Sequence, residues 1–248
     1  MKVNTDGVLL AAWMRIEPTD ISMLELGTGC GVMAIMAAQR LLALQPSPLS
    51  AWVERVVDAV EIDPLASMDA EYNFRRVKEK FGGGVKLNII NLPANEYALR
   101  CNRSYDMLFT NPPYFSNSLE NRDPNRTVAR HNSSLSQSDI IRISLKLLSE
   151  RGRLALILPC EEGREFIEKI EFLQRAAREG EIFLAQSREC YIRTTPSKEP
   201  KRLLLEFVSL SDRSLLPALE RDSIIIHNER GEYSEEYISL TGDFYLNF

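Results

Sequence analysis

Short apolar runs alternate with amphipathic stretches along most of the chain. An apolar run of about four to eight residues is typical of a buried strand, whereas apolar residues at helical spacing indicate a helix. The runs predict seven strands, at 22–26, 56–60, 85–90, 106–110, 153–158, 182–185 and 202–208. The amphipathic stretches predict helices at 7–14, 32–42, 65–80, 137–148 and 162–178. This alternation favours an α/β fold with a largely parallel sheet and helices on both faces.

A proline-rich loop directly follows the fourth predicted strand: Asn111-Pro112-Pro113-Tyr114. Open α/β sheets bind ligands at the carboxyl ends of their strands. Two prolines cannot continue a ladder or start a regular helix, and Pro112 holds Asn111 extended. The loop would therefore present the Asn111 side-chain carbonyl and the Pro112 carbonyl as fixed acceptors, with the Tyr114 ring as a stacking surface, which suits a planar group bearing an NH2. The alternative is a simple strand-terminating turn, for which Asn and Pro are common residues.

A glycine-rich turn follows the first predicted strand, in the stretch Leu24-Glu25-Leu26-Gly27-Thr28-Gly29-Cys30-Gly31. Glycines allow backbone to turn sharply and approach a ligand closely. The glycine spacing differs from the dinucleotide pattern, so the turn favours a nucleoside-type ligand. Glu61 ends the second strand, where an acidic residue commonly holds ribose hydroxyls, and Asp63 is expected to cap the next helix.

Composition and charge narrow the class of protein. The chain has 248 residues, enough for one α/β domain, and a net charge of −5. No apolar run is long enough to span a membrane and no signal peptide begins the chain, so a cytoplasmic protein is expected. The four cysteines and two histidines show no metal-ligand spacing, so no metal is expected.

Basic residues cluster in two loops beside the predicted ligand edge. Arg122, Arg126 and Arg130 follow the proline-rich loop, and a second group lies between the last two predicted strands. Acidic residues are expected to gather elsewhere, at 161–181 and 229–243. Such clusters favour contacts with nucleic-acid phosphates, although solvated loop charge is the alternative. The second group consists of Arg193, Lys198, Lys201 and Arg202.

The order of glycine turn, acidic strand end and Asn-Pro-Pro-Tyr resembles class I S-adenosylmethionine-dependent methyltransferases that act on amino nitrogens. The two ends of the chain, MKVNTDGVLLAAW at 1–13 and YSEEYISLTGDFY at 233–245, resemble those of the tRNA1(Val) adenine-37 N6-methyltransferase family. The resemblance covers nearly the whole chain. It implies a single class I domain over 1–248 with a Rossmann-like, seven-stranded, mostly parallel sheet whose last strand is antiparallel.

The resemblance also implies the chemistry and the site. S-adenosylmethionine would be the cofactor, and an adenine in a tRNA anticodon loop, adenine-37 of tRNA1(Val), the methyl acceptor. The expected catalytic residues are Asn111, Pro112 and Tyr114. The expected cofactor-binding residues are Thr5, Asp6, Glu25, Gly27, Gly29, Gly31, Glu61, Asn91 and Asn111. The expected tRNA-binding residues are Tyr114, Arg126, Arg130, Lys201 and Arg202.

Three features depart from the family pattern. The family has a further segment before the MKVNTDG stretch, so part of a lid is expected to be absent here. Asn91 stands where the family usually has Asp to accept from the cofactor's adenine amine, and its carbonyl can still accept. Residues 45–50 (QPSPLS) are expected to be an inserted surface loop.

Two other functions remain open at the level of the sequence. A protein glutamine N5-methyltransferase, of the kind that modifies release factors, would offer a similar planar NH2 group to the proline-rich loop. A catalytically silent S-adenosylmethionine-binding module that docks on RNA is the alternative from another class. In each case we expect a monomer without metal and without membrane attachment.

Overall fold

The computed structural model describes residues 4–44, 53–81, 84–113 and 135–245. Helices and strands alternate through most of this length. The helices are α1 (Thr5–Trp13), α2 (Val32–Ala43), α3 (Pro64–Phe81), α4 (Ala94–Arg100), α5 (Gln137–Leu147), α6 (Cys160–Ala176) and α7 (Glu235–Thr241). The strands are β1 (Ser22–Leu26), β2 (Arg55–Glu61), β3 (Val85–Asn91), β4 (Tyr105–Thr110), β5 (Leu148–Pro159), β6 (Phe183–Arg193), β7 (Arg202–Leu210) and β8 (Glu220–Ile225).

All of these strands form one sheet, in the order β3-β2-β1-β4-β5-β7-β6-β8. β7 is antiparallel to both of its neighbours, and every other pairing is parallel. The α/β fold with a mostly parallel sheet is therefore confirmed, as is the antiparallel direction of the last predicted strand. The strand order reverses between β1 and β4, which is where open sheets of this type form a ligand crevice.

The prediction of seven strands is wrong, because β8 adds an eighth. β8 pairs in parallel with β6 at the edge of the sheet. Four of its six residues, Glu220 to Ser223, are exposed. An edge strand buries little surface and therefore lacks the apolar pattern by which interior strands are recognised.

Several boundaries and two short helices also differ from expectation. Leu148 begins β5 rather than ending a helix, β6 extends to Arg193, and α1 begins at Thr5. The side chain of Asn4 caps α1 by accepting from the Gly7 N–H, which explains its earlier start. Helices α4 and α7, with seven residues each, are too short for a periodic pattern to predict.

Helices cover both faces of the sheet, as predicted. One buried cluster joins α1, α2, α3 and α7 to one face, and a second joins α4, α5 and α6 to the other. The central strand β1 is buried throughout, with Met23 in the first cluster and Leu24 and Leu26 in the second. The rigid centre of the fold therefore lies directly beneath the β1–β4 crevice. Among the described residues, no helix is both long and apolar enough to cross a bilayer.

Candidate active site

The glycine turn leaves the carboxyl end of β1 and folds over the end of β2. Gly27, Gly29 and Gly31 have φ angles of 73°, 58° and 84°, in the left-handed region that favours glycine. A Cβ on Gly31 would lie 2.5 Å from Cε1 of Phe74, so this glycine lets α2 pack closely on α3. A Cβ on Gly27 would meet nothing within 4 Å, so this glycine borders open space. The turn thus combines one packing glycine with one that leaves room for a ligand.

Glu61 holds the turn in place from the end of β2. Its Oε2 accepts from the Gly29 N–H at 2.7 Å, and its Oε1 accepts from the Asp63 N–H at 2.9 Å. The Asp63 side chain in turn accepts from the Leu65 N–H in the first turn of α3, which confirms its predicted capping role. Glu61 is buried, and both carboxylate oxygens already have backbone partners. Its predicted binding of ribose hydroxyls stays a prediction.

Glu25 is a carboxyl group buried completely beneath the turn. Its Oε2 accepts from the Thr28 hydroxyl at 2.6 Å, while Oε1 has no hydrogen-bond partner within the described part of the chain. Burial raises the pKa of Glu25 to about 8; the Thr28 hydroxyl and the backbone N–H of Ala34 offset part of this rise, and the charge of Glu61 adds to it. The folded protein therefore carries Glu25 mostly protonated at pH 7.

Asn91 ends β3 and uses its amide to tie β3 to the end of β2. Its Nδ2 donates to the carbonyls of Glu61 and Ile62, at 2.8 and 3.2 Å. Aspartate could not donate to these two carbonyls, which gives a physical reason for asparagine at this position. The side-chain carbonyl of Asn91 has no partner among the described residues, and its predicted acceptance from the cofactor's adenine amine stays a prediction.

The proline-rich loop begins at the carboxyl end of β4, beside the glycine turn. Thr110 donates from Oγ1 to the Leu26 carbonyl at 2.8 Å, which links the last residues of β4 and β1. Asn111 follows and is partly exposed, Pro112 is buried and Pro113 is exposed. The Asn111 Nδ2 donates to Oδ1 of Asn4 at 3.3 Å. Tyr114 lies outside the described residues.

The start of α1 reaches the same edge of the sheet. Thr5 is exposed, and Asp6 accepts from Nε of Arg202 at 2.8 Å. Asp6, expected to bind cofactor, and Arg202, expected to bind tRNA, therefore pair with each other. Lys201 is exposed at the start of β7. Arg126 and Arg130 lie outside the described residues.

Acidic residues follow β8, within the segment 229–243 in which the sequence predicts them to gather. β8 runs parallel to β6, and the acidic residues that follow it lead into α7, which packs on α1. Such charges disfavour phosphates nearby. Near this edge, the described basic residues of the predicted clusters lie in the segment between β6 and β7, at residues 193–202.

Two residues of the site were not predicted. Asn4 contacts Asn111, and Thr28 donates to Glu25. A capping signal, Asn before Thr-Asp-Gly, marks Asn4 as a helix start but says nothing about its contact with a loop 107 residues away. Across the ranges the structure covers, no three His, Cys, Asp or Glu side chains are grouped to hold a metal ion.

The chain is similar over its full length to several proteins that share one name. Proteins from Trichodesmium erythraeum and Parabacteroides distasonis are 36% and 37% identical over 248 residues, covering 100% and 99% of this chain and 92% and 91% of the relatives. One from Mannheimia succiniciproducens is 34% identical and covers 100% of this chain and 89% of the relative. Each is named tRNA1(Val) (adenine(37)-N6)-methyltransferase. No protein-family model matches the chain.

Solved structures support the fold independently. A predicted O-methyltransferase from Agrobacterium tumefaciens superposes with a TM-score of 0.65 at 17% identity, covering 96% of each chain. A class I S-adenosylmethionine-dependent methyltransferase from Listeria monocytogenes, described as putative, gives a TM-score of 0.55 at 12% identity and covers 96% of this chain and 66% of that one. At such identities the likeness concerns the fold alone.

Proposed function

Because the chain belongs to the tRNA1(Val) (adenine(37)-N6)-methyltransferase family, we propose that it transfers a methyl group from S-adenosylmethionine to N6 of an adenine in a tRNA anticodon loop, adenine-37 of tRNA1(Val). The relatives' names favour adenine over the amide of a protein glutamine. We further propose a cytoplasmic monomer that needs no metal.

One observation carries this proposal: the glycine turn and the proline-rich loop lie side by side at the reversal of strand order. β1 and β4 are parallel neighbours, with Glu25 opposite Phe109. The Thr110 hydrogen bond to the Leu26 carbonyl joins the two strand ends. A methyl donor at the first loop and an amino acceptor at the second would therefore meet in one crevice.

The residues around the glycine turn fit S-adenosylmethionine. Open space borders Gly27, the carbonyl of Asn91 has no described partner, and Glu25 has a buried oxygen without a hydrogen bond. We assign Gly27, Gly29 and Gly31 to close approach of backbone, Glu61 to the ribose, and Asn91 to the adenine amine. Thr5, Asp6 and Asn111 complete the proposed set. When bound, the cofactor supplies an electrophilic methyl group on sulfur.

Asn111 and Pro112 would activate the adenine amino group by fixing its orientation. The lone pair of adenine N6 is delocalised into the ring and is a poor nucleophile. Two carbonyl acceptors, from the Asn111 side chain and the Pro112 backbone, would hold the N6 hydrogens and favour the geometry in which the lone pair points at the methyl group. Asn111 and Pro112 would hold N6 in line with the methyl group that bound S-adenosylmethionine supplies in exchange for its bond to sulfur, and the N6 proton would pass to water. No covalent enzyme intermediate is required.

Capture of the tRNA would use the segment between β6 and β7 together with the loop after β4. Lys201 is exposed and suits a phosphate contact. Arg202 is held by Asp6, so its proposed contact with tRNA is made by a guanidinium that the protein already orients. Arg126 and Arg130 are proposed to contact phosphates, and Tyr114 to stack on the extruded adenine.

Methyl transfer from labelled cofactor to total tRNA, followed by nucleoside and position mapping, tests the proposed function. We expect N6-methyladenosine in the anticodon loop of tRNA1(Val). Transfer to a glutamine-containing release-factor peptide but not to tRNA would favour the protein substrate, and cofactor binding without transfer would favour a silent module.

Variants of the proline-rich loop test the mechanism. Asn111→Ala removes an acceptor needed most in the transition state, so single-turnover transfer at saturating cofactor should fall by about 10²–10³-fold, far more than cofactor affinity does. Tyr114→Ala should weaken tRNA capture by about 1–3 kcal/mol, whereas Tyr114→Phe, the matched control, should keep most activity. Near-normal transfer by Asn111→Ala would mean that the loop is only a turn.

A further inference from the structure

Among the described residues, only Asn4 forms a hydrogen bond with the side chain of Asn111. Its Oδ1 lies 2.7 Å from the N of Gly7 and 3.3 Å from Nδ2 of Asn111. Gly7 stands in the first turn of α1, and Asn111 directly follows β4. One amide oxygen therefore connects the start of the first helix to the loop proposed to bind the methyl acceptor.

The Gly7 N–H fixes the polarity of this contact. A backbone N–H can only donate, so the Asn4 atom that faces it must be the carbonyl oxygen rather than the amide nitrogen. That oxygen can then receive only a donor from Asn111, which must be Nδ2. The opposite orientation of Asn111 would place its own carbonyl against the Asn4 carbonyl and leave two acceptors facing each other.

We infer that Asn4 is a positioning residue for methyl transfer, which fixes the Asn111 amide with its carbonyl toward the acceptor amine. This inference rests on the proposed function of Asn111. Because Nδ2 is held by Asn4, Oδ1 is left to accept a hydrogen from the substrate NH2. An Asn111 amide that turned over would instead present its own NH2 to the substrate NH2, and two donors would face each other. Asn4 thus selects the orientation in which Asn111 can act.

Substitutions at Asn4 separate this role from helix capping. Glycine and aspartate are both accepted at an N-cap, but glycine removes the acceptor whereas aspartate retains it. Asn4→Gly should lower kcat for methyl transfer by about fivefold to tenfold, the scale of one lost hydrogen bond. Asn4→Asp should restore kcat to within about twofold of the parent. The dissociation constant for S-adenosylmethionine and the melting temperature should be alike in both variants.

Combining Asn4→Gly with Asn111→Ala makes the test specific. If Asn4 acts through Asn111, Asn4→Gly should not lower kcat any further in the Asn111→Ala background. An equal loss in both backgrounds, or a kcat for Asn4→Gly within about twofold of the parent, would overturn the inference. Should Asn4→Gly fail to fold, Asn4→Ser keeps a capping hydroxyl on a shorter side chain and replaces it in the same comparison.

A measurement without substrate distinguishes failure of this inference from failure of the proposed function. The side-chain amide proton resonances of Asn111, identified by their loss in Asn111→Ala, should shift in Asn4→Gly and remain close to their original positions in Asn4→Asp. Unchanged resonances in Asn4→Gly would overturn the positioning role even in an active enzyme. Shifted resonances in a protein that methylates no tRNA would support the contact while refuting the function.

Discussion

Replacement of Glu25 by glutamine should stabilise the protein at neutral pH. Glu25 is completely buried and receives a hydrogen bond from Thr28, with the backbone N–H of Ala34 as a weaker second donor, and its Oε1 makes no hydrogen bond of normal geometry within the described residues. Burial raises the pKa of this carboxyl to about 8 from an ordinary value of 4.5. A glutamine amide has the shape of the protonated acid and can keep the Thr28 hydrogen bond through its carbonyl. Glu25→Gln therefore mimics the form that the fold prefers.

The sign and size of the effect follow from proton uptake on folding. Between pH 4.5 and about 8 the folded protein holds the Glu25 proton and the unfolded chain has lost it. The free energy of unfolding therefore falls as pH rises, by up to about 1.4 kcal/mol per pH unit, and levels off above the folded pKa. Glutamine does not titrate in this range, so Glu25→Gln does not lose this stability. We expect the free energy of unfolding of the variant to match that of the parent near pH 4.5 and to exceed it by about 3 kcal/mol at pH 7. This difference corresponds to roughly 6–12 °C in melting temperature.

Urea unfolding of parent and variant at pH 5, 6, 7 and 8 measures this difference directly. Taking the difference at each pH cancels the titration of the other groups. Glu206→Gln is a matched control, because Glu206 is equally buried but accepts from the Arg15 N–H and lies 3.3 Å from the Arg188 guanidinium. Removing that partnered charge should destabilise the protein at pH 7, by about 1–3 kcal/mol. If the difference in unfolding free energy between Glu25→Gln and the parent stayed constant from pH 5 to pH 8, the reasoning would be refuted.

Two further comparisons of variants examine the site from its two sides. Gly27→Ala and Gly31→Ala should both lower the melting temperature, because each places a Cβ at a positive φ, but Gly31→Ala should lower it further since its Cβ would also lie 2.5 Å from the Phe74 ring. Gly27→Ala should in addition weaken S-adenosylmethionine binding in calorimetry, since its Cβ enters the space left for a ligand; equal melting temperatures would contradict this division of roles. Lys201→Ala should reduce the salt dependence of tRNA binding by about one slope unit and leave cofactor affinity unchanged, with the exposed Lys78→Ala on α3 as a control expected to have no effect.

The sequence predicted most clearly those elements that are buried in the centre of the sheet. β1 has the predicted bounds, because all five of its residues are buried and an apolar run marks both ends. β8 and the short helices α4 and α7 were missed for the opposite reason. Their residues are partly exposed or too few for a period to emerge, and neighbouring elements rather than their own patterns determine their conformation.

The sequence predicts which loops lie together at the candidate site but not the contacts within it. Loops at the carboxyl ends of parallel strands meet at one edge, so the motifs alone indicate that Gly29, Glu61 and Asn111 lie near one another. Which atom donates to which cannot be read from spacing. The contact of Asn4 with Asn111 joins residues 107 positions apart, and the pairing of Arg202 with Asp6 spans 196 positions. Both depend on side-chain directions that only the packed structure defines.

The hydrogen bonds of the crevice give a physical reason for asparagine, rather than aspartate, at two positions. Each of the two asparagine amides at the ends of β3 and β4 donates from its nitrogen to the protein, Asn91 to the Glu61 carbonyl and Asn111 to Asn4, which leaves its carbonyl for a ligand. An aspartate could offer the ligand an acceptor but could not be held by these protein acceptors. In the proposed site the crevice would therefore orient its acceptors before any ligand arrives, so binding a planar amine would require little further ordering of the protein.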